Sequence, residues 1–244
     1  MYGYEWTDEY GIFRLTIDAK IQKEIRPVFH EELDFFGMDK YWDYPRDTDA
    51  PLLWAEGIRR YVINGVCVAE AEGGGFFTVP KIKLNTTERL KLEEINIKRL
   101  IEVNNALLVN MKQKSIGLIQ EQYEKYSKQG YSFICAFSGG KDSLVLLDLV
   151  SKALAPSAFW VVFSNTGMEL SDTLKAVERA KLHWPHLHFI EAKCHMEPTE
   201  TWDEFGPPGR RMRWCCAVHN SVPTILNLRS IPGNYNAKAD VLDG

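Results

Sequence analysis

The sequence lacks several features that mark common classes of protein. Its five cysteines are an odd number in a chain of 244 residues, so a disulfide framework is not indicated. No apolar run approaches the length of a membrane span, and the first residues lack the basic start and apolar segment of a signal peptide. The formal net charge of -4 provides no general attraction to nucleic acid. We therefore expect a cytoplasmic protein without membrane contact.

One stretch, residues 131–150, carries the clearest functional pattern. Apolar residues from Phe133 to Phe137 predict a short buried strand, and leucines recur at helical spacing further on. The glycines of the connection let backbone N–H groups approach an anion at the start of the helix, and its lysine adds a positive charge. We therefore predict a phosphate-binding loop made of Ser138, Gly139, Gly140, Lys141, Asp142 and Ser143. The alternative is an ordinary strand-to-helix turn capped by Asp142.

Strands and helices alternate after this loop. A second strand is predicted at residues 158–163, a helix at 171–183, a third strand at 187–191 and a fourth at 239–242. This alternation predicts an α/β fold with a doubly wound parallel sheet. Ligands bind such sheets at the carboxyl ends of the strands, where the predicted loop and the turn Asn165–Glu169 both fall.

The first part of the chain, residues 1–85, has the pattern of a small β-containing module. Its strongest signal is a hairpin around Asn64-Gly65. Further strands are expected at residues 11–17 and 76–84, the second of them at a sheet edge because of Pro80.

A helical connector is predicted over residues 86–130. Apolar residues at spacings of three and four favour a helix from Leu90 to Lys128, broken near residues 112–117. A short solvated helix is expected at His30, because no second histidine follows at the spacing of a metal site. The sequence therefore predicts three domains: the β-containing module (1–85), the helical connector (86–130) and the α/β domain with the predicted phosphate-binding loop (131–244).

A second cluster of charge lies between residues 202 and 216. Glycine and proline argue against a regular element here, yet three arginines lie within four positions: Arg210, Arg211 and Arg213. Guanidinium groups bind phosphate and sulfate bidentately, so we predict that they bind a second anionic group or an acceptor substrate. The alternative is a solvated basic turn.

Three motifs occur in one order: Ser138 to Ser143, Asn165-Thr-Gly-Met-Glu169, and Gly206-Pro-Pro with Arg213-Trp-Cys-Cys216. Together they resemble the phosphoadenosine phosphosulfate (PAPS) reductase family, within the adenine nucleotide α-hydrolase-like (PP-loop ATP pyrophosphatase) superfamily. The resemblance covers residues 131–244. It implies that the loop holds the phosphate or sulfate groups of an adenine nucleotide and that Arg213 faces the anionic end of the substrate. It also implies that three residues lie beside the nucleotide: Thr166, Gly167 and Glu169.

The chain departs from the reductases of this family in three ways. Reductases usually lack the Lys-Asp pair that this chain keeps as Lys141 and Asp142. The pair favours ATP as the substrate, with cleavage at its α-phosphate. Lys141 and Asp142 are then the predicted catalytic residues. Asn165 stands where the family often has an acid, which argues against a metal role there. The C-terminal segment with the reductases' nucleophilic cysteine is absent. Because the chain stops just after the strand predicted at 239–242, we expect the nucleotide domain to be truncated at its C-terminus.

The cysteines offer two candidate metal sites. Cys215 and Cys216 resemble the first half of a four-cysteine iron–sulfur site in some relatives, so a 4Fe–4S cluster is expected only if a longer chain supplies further cysteines. A zinc site is the alternative, although its spacing matches no standard signature. Its ligands would be Cys194, His195, Cys215, Cys216 and His219. Cys135 is expected to be buried in the first strand.

The first functional hypothesis is an enzyme that binds ATP with Mg²⁺ and activates an acceptor by adenylylation, in sulfur transfer or nucleic-acid modification. Its acceptor would be a sulfur-carrier protein or a nucleic acid, and oligomers are compatible with the sequence. One alternative is a fragment of a sulfonucleotide (PAPS or APS) reductase without its catalytic cysteine segment. Another is a nucleotide-binding subunit without catalysis.

Overall fold

A long helix, α2 (Ile97–Ser127), runs from one to the other of the two units into which the chain divides. The units are Met1–Asn110 and Met111–Gly244. The structure, a computed structural model, describes residues 2–18, 24–74, 78 and 80–243. In these residues no helix is long and apolar enough to cross a membrane. The predicted domain boundaries near residues 85 and 130 stay predictions.

Unit 1 pairs its described strands in two antiparallel sheets. In the first, β1 (Gly3–Trp6) pairs with β2 (Phe13–Thr16). The second has the order β3-β4-β5-β6-β7, with β3 (Ile25–Val28), β4 (Leu53–Glu56), β5 (Arg60–Ile63), β6 (Val66–Glu72) and β7 (Lys81–Leu84). A short helix, α1 (His30–Phe35), follows β3 as the sequence predicts.

The predicted hairpin of unit 1 is confirmed. It joins β5 and β6 through Asn64 and Gly65, whose φ values of 47° and 82° are those of a type I′ turn. The strand predicted at residues 11–17 is the shorter β2, and the one predicted at 76–84 is confirmed at the edge strand β7. Phe76, Phe77 and Val79 lie outside the described residues. The sequence analysis missed β1, β3 and β4, because four-residue strands carry little periodicity.

Two predictions about α2 were wrong. The helix begins at Ile97, because the Asn96 side chain caps it by accepting a hydrogen bond from the backbone N–H of Arg99 at 3.0 Å. The residues before it instead bury Leu92 and Ile95 in the core of unit 1. The helix is also unbroken at residues 112–117, since a single glycine, Gly117, costs a helix only about 1 kcal/mol.

Unit 2 contains a parallel sheet of four strands with the order β10-β9-β8-β11 among its described residues. The strands are β8 (Ser132–Ala136), β9 (Trp160–Asn165), β10 (Phe189–Lys193) and β11 (Ala239–Leu242). Its helices after α2 are α3 (Lys141–Ala153), α4 (Ser171–His183), α5 (Pro198–Phe205) and α6 (Val222–Ser230), and a π-helical turn, Cys216–Ser221, leads into α6.

Helices cover both faces of this sheet. Alternate residues of β8 point to opposite sides: Phe133 and Cys135 pack in one cluster with residues of α3 and α4, whereas Ile134 packs in another with Leu228 of α6. The doubly wound α/β fold predicted from the sequence is therefore confirmed. The chain builds outward from β8 to β10 and then returns to place β11 on the other side of β8. This reversal opens a crevice at the carboxyl ends of the strands.

Candidate functional site

The predicted anion loop connects β8 to α3. Gly139 has a φ of 77°, and a Cβ on it would lie 3.2 Å from both the carbonyl oxygen and Cγ2 of Thr173. Only glycine fits this position without strain or a shift of its neighbours. Gly140 is the N-cap of α3, so the loop ends at the positive pole of that helix.

Two serines hold the loop closed. The Ser143 hydroxyl oxygen accepts hydrogen bonds from the backbone N–H of Ser138 at 3.2 Å and from its hydroxyl at 3.1 Å. The Ser143 hydroxyl itself donates to the carbonyl of Gly140 at 3.0 Å. Ser143 is buried, so it shapes the loop from beneath in this structure, and its contact with an anion stays a prediction.

The charged pair of the loop lies at the surface. Lys141 Nζ lies 2.9 Å from Asp142 Oδ1, and the two side chains are 85% and 67% exposed. Exposed pairs of this kind are weak, because solvent screens them. A phosphate at the α3 N-terminus can therefore compete with Asp142 for the ammonium group.

A cavity of about 460 Å³ opens beside the loop, within the size range of small-molecule sites. It is lined by the carboxyl ends of β8, β9 and β11 and by the helical segment from the π-helical turn to α6. Its apolar part includes Ile134, Val162, Leu228 and Val241. Its polar lining is Ser138, Ser164, Thr166, Glu169, Asn220, Thr224 and Asp243. This combination suits a ligand with an apolar ring and a polar, charged end.

Three of the predicted binding residues, Ser138, Thr166 and Glu169, thus line one cavity. The sequence analysis missed Asn220, Thr224 and Asp243, which come from distant segments that only the fold brings to this edge. The spacing of four between Asn220 and Thr224 was the available signal, because it places both on one helical face.

The turn after β9 is built on its own side chains. Glu169 Oε1 accepts hydrogen bonds from the backbone N–H of Thr166 at 3.0 Å and from its hydroxyl at 2.7 Å. Asn165 accepts from the backbone N–H of Gly167 at 2.9 Å and donates to Glu191 at 2.7 Å. A carboxylate at position 165 would carry no proton at neutral pH and could not donate the hydrogen bond to Glu191. This hydrogen bond is a structural reason for an asparagine at position 165.

Glu169 is the titratable group that this turn perturbs. Burial acts to raise its pKa, but the two hydrogen bonds from Thr166, together with the dipoles of the nearby backbone N–H groups, outweigh burial, so the pKa of Glu169 is lowered. Its carboxylate is therefore charged at neutral pH.

Gly167 approaches Pro198 closely: a Cβ on it would lie 3.0 Å from the proline ring.

The three arginines lie on a loop whose two ends meet. Trp214 Nε1 donates a hydrogen bond to the carbonyl of Gly206 at 3.2 Å, and its ring lies 5.5 Å from that of Phe205. Between these residues, Arg210, Arg211 and Arg213 are exposed and form no ion pair with the described residues. The prediction that residues 202–216 form no regular element was wrong at both ends: α5 extends to Phe205, and Cys216 begins the π-helical turn.

A buried pair ties the elements on either side of this loop. The Thr201 hydroxyl donates to the carbonyl of Pro198 at 2.8 Å and lies 2.8 Å from His219 Nε2, which must then be the donor. Both side chains are buried. The loop is therefore anchored by α5 before it and by the π-helical turn after it, while the binding roles of its arginines stay predictions.

The cysteines do not assemble a metal site. In the ranges that the structure describes, no group of three or more His, Cys, Asp or Glu residues could hold a metal ion, so the alternative zinc site is not formed. The residues present do not fit a four-iron cluster either, since Cys215 and Cys216 provide two of four thiolates. Cys135 is buried in β8 as predicted, and burial raises the pKa of its thiol to about 12.

The fold and this site define a doubly wound α/β domain whose predicted anion loop follows the first strand of the parallel sheet. The sequence profile of the phosphoadenosine phosphosulfate reductase domain matches residues 132–236. This part of the chain is therefore similar to the PAPS reductase family, as its motifs predicted. By this match the domain is sulfonucleotide reductase-like.

Several curated proteins are similar to this chain. An uncharacterized protein of Methanocaldococcus jannaschii is 37% identical over 122 residues, which are 49% of this chain and 24% of that protein. The adenosine 5′-phosphosulfate reductase of Halalkalibacterium halodurans is 32% identical over 124 residues, 50% of each chain. Adenosine 5′-phosphosulfate reductase 1 of Bacillus subtilis is 30% identical over 100 residues, 40% of this chain and 42% of that protein. The matched part is thus half or less of each relative.

Proposed function

We propose that the chain is an enzyme that binds ATP at the cavity beside β8 and cleaves it between the α and β phosphates. The observation that carries this proposal is the anion loop, which keeps Lys141 and Asp142 at the N-terminus of α3 and opens into the cavity. The phosphates would lie on the loop and the adenosine in the cavity. Mg²⁺ would bind together with ATP, as the Mg²⁺–ATP complex.

The proposed reaction is transfer of the adenylyl group to an acceptor. The acceptor's nucleophile attacks the α-phosphorus, the bond from that phosphorus to the bridging oxygen breaks, and pyrophosphate leaves. Lys141 and the backbone N–H groups of Gly139 and Gly140 would stabilise the negative charge on the departing pyrophosphate. The exposed loop with Arg210, Arg211 and Arg213 would position the acceptor, a sulfur-carrier protein or a nucleic acid.

Reduction of a sulfonucleotide is the second candidate. The relatives from Halalkalibacterium halodurans and Bacillus subtilis are named adenosine 5′-phosphosulfate reductases, which favours a nucleotide with one phosphate and one sulfate. That reaction needs a nucleophilic thiol. Among the described residues that line the cavity there is no cysteine, so the thiol would have to come from another part of the chain or from a partner.

Incubation with ATP labelled at the α-phosphate separates the candidates. We expect release of pyrophosphate and formation of AMP or an adenylylated acceptor. Binding of adenosine 5′-phosphosulfate without ATP cleavage would support the second candidate, and nucleotide binding without any turnover would support a non-catalytic subunit.

A lysine pair provides the matched control. Lys141→Ala should weaken ATP binding about tenfold or more, since a hydrogen bond to a charged group contributes about 1.5–3 kcal/mol. Lys152→Ala removes the same charge at the far end of the same helix, where Lys152 pairs with Asp148, and should leave affinity unchanged. Equal affinity of the two variants by calorimetric titration would refute the phosphate loop.

A further inference from the structure

Glu169 has one carboxylate oxygen that the turn after β9 does not use. Oε1 already accepts the two hydrogen bonds from Thr166. Oε2 is buried, and no donor in the described part of the chain makes a hydrogen bond to it. The residue lines the cavity. A buried acceptor without a donor destabilises a protein, so its partner is to be sought in the ligand.

The charge of the group limits what that partner can be. With the pKa of Glu169 lowered, the carboxylate is ionised at neutral pH and can only accept hydrogen bonds. A ligand group facing Oε2 must therefore be a hydroxyl, an amine or a cation. A phosphate or sulfate there would meet a fixed like charge, which is strongly unfavourable in a desolvated site.

The position of Glu169 selects the sugar among these partners. This step rests on the proposed function, with the nucleotide's phosphates on the loop after β8. β9 is the direct neighbour of β8, about 4.8 Å away, so the turn after β9 lies one strand from the phosphates. The ribose is the part of a nucleotide bonded next to its α-phosphate. The apolar lining from Ile134, Val162 and Leu228 then suits the base.

We propose that Glu169 is a specificity-determining residue, whose Oε2 accepts a hydrogen bond from a ribose hydroxyl of the bound nucleotide. The site then selects adenine nucleotides with an unphosphorylated ribose and rejects those with a 3′-phosphate. ATP and adenosine 5′-phosphosulfate satisfy this rule, whereas 3′-phosphoadenosine 5′-phosphosulfate does not. The rule holds whichever of the first two is the substrate.

The test compares AMP with adenosine 3′,5′-bisphosphate, and ATP with 3′-deoxy-ATP and 2′-deoxy-ATP, by calorimetric titration. Glu169→Gln keeps the oxygen that Thr166 needs and replaces Oε2 by an NH₂ donor. Wild type should bind AMP about tenfold or more tightly than the bisphosphate and lose a similar factor with one deoxy-ATP. The variant should lose most of both preferences. Asp172→Asn is the matched control: it removes an acid at an exposed position that pairs with Lys175, and it should behave as wild type.

The outcomes separate the inference from the function on which it rests. Equal preferences in wild type and Glu169→Gln would overturn the role of Glu169, even though nucleotides bind. If wild type binds purine riboside triphosphate more weakly than ATP but binds both deoxy-ATPs as tightly as ATP, then Oε2 contacts the base. This result would overturn the ribose assignment. An effect of Glu169→Gln that disappears with EDTA would make Oε2 a cation ligand and overturn it as well. Failure of wild type to bind any of these nucleotides would refute the proposed function, and the inference with it.

Discussion

Replacing Gly139 by alanine tests the geometry on which the anion loop depends. Its φ of 77° lies in the left-handed region, where a residue other than glycine costs about 1–2 kcal/mol. The new Cβ would also lie 3.2 Å from the carbonyl oxygen of Thr173, a backbone atom that cannot rotate away. We expect Gly139→Ala to destabilise the sheet around β8 by about 2–3 kcal/mol.

Gly140→Ala is the matched control on the next residue. Gly140 has a φ of -81°, and its Cβ would meet only the Ser138 hydroxyl, at 3.4 Å. A weaker N-cap and a less flexible unfolded chain act in opposite directions, so its stability should change by less than about 1 kcal/mol. Native-state hydrogen exchange of the β8 amides measures both variants without contributions from unit 1. Equal opening free energies in the two variants would refute the strained-glycine account of the loop.

Three further predictions concern unit 2. Iodoacetamide at pH 8 should modify the exposed Cys216 and leave Cys135 unreacted until unfolding, because Cys135 is buried and its pKa is about 12; modification of both in the folded protein would contradict this. The lowered pKa of Glu169 means that its contribution to stability is present above its ordinary value of 4.5 and is lost as pH falls through the lowered pKa. The difference in free energy of unfolding between wild type and Glu169→Gln should therefore become smaller as the pH falls below 4.5. A difference that stays constant with pH would contradict the lowered pKa of Glu169. Thr201→Val leaves His219 Nε2 buried without its partner, so the backbone amides of residues 206–214 should exchange hydrogen faster. Their opening free energy should fall by about 1–3 kcal/mol. Unchanged exchange would mean that the Thr201–His219 pair does not anchor the arginine loop.

The sequence predicted the α/β fold of unit 2 closely because its elements carry strong local signals. The helix expected at residues 171–183 and the strand at 239–242 appear with those bounds. The loop could be located because its glycines and its Lys-Asp pair lie in a row between a strand and a helix. The predicted start of α2 was wrong because periodicity extends into residues 90–96, where burial in unit 1 favours an extended chain over a helical turn.

What belongs to the sequence alone is the list of chemical groups and the order of the elements. Whether a group is used by the protein or left for a ligand was decided only by tertiary structure. Ser143 illustrates the difference, since its hydroxyl proton is bound within the loop. Glu169 illustrates the converse, since one of its two equivalent oxygens is bound by Thr166 and the other accepts no hydrogen bond from the residues that the structure describes. Hydrogen bonds depend on distances of a few tenths of an ångström between residues, and no pattern of residue types along a chain contains those distances.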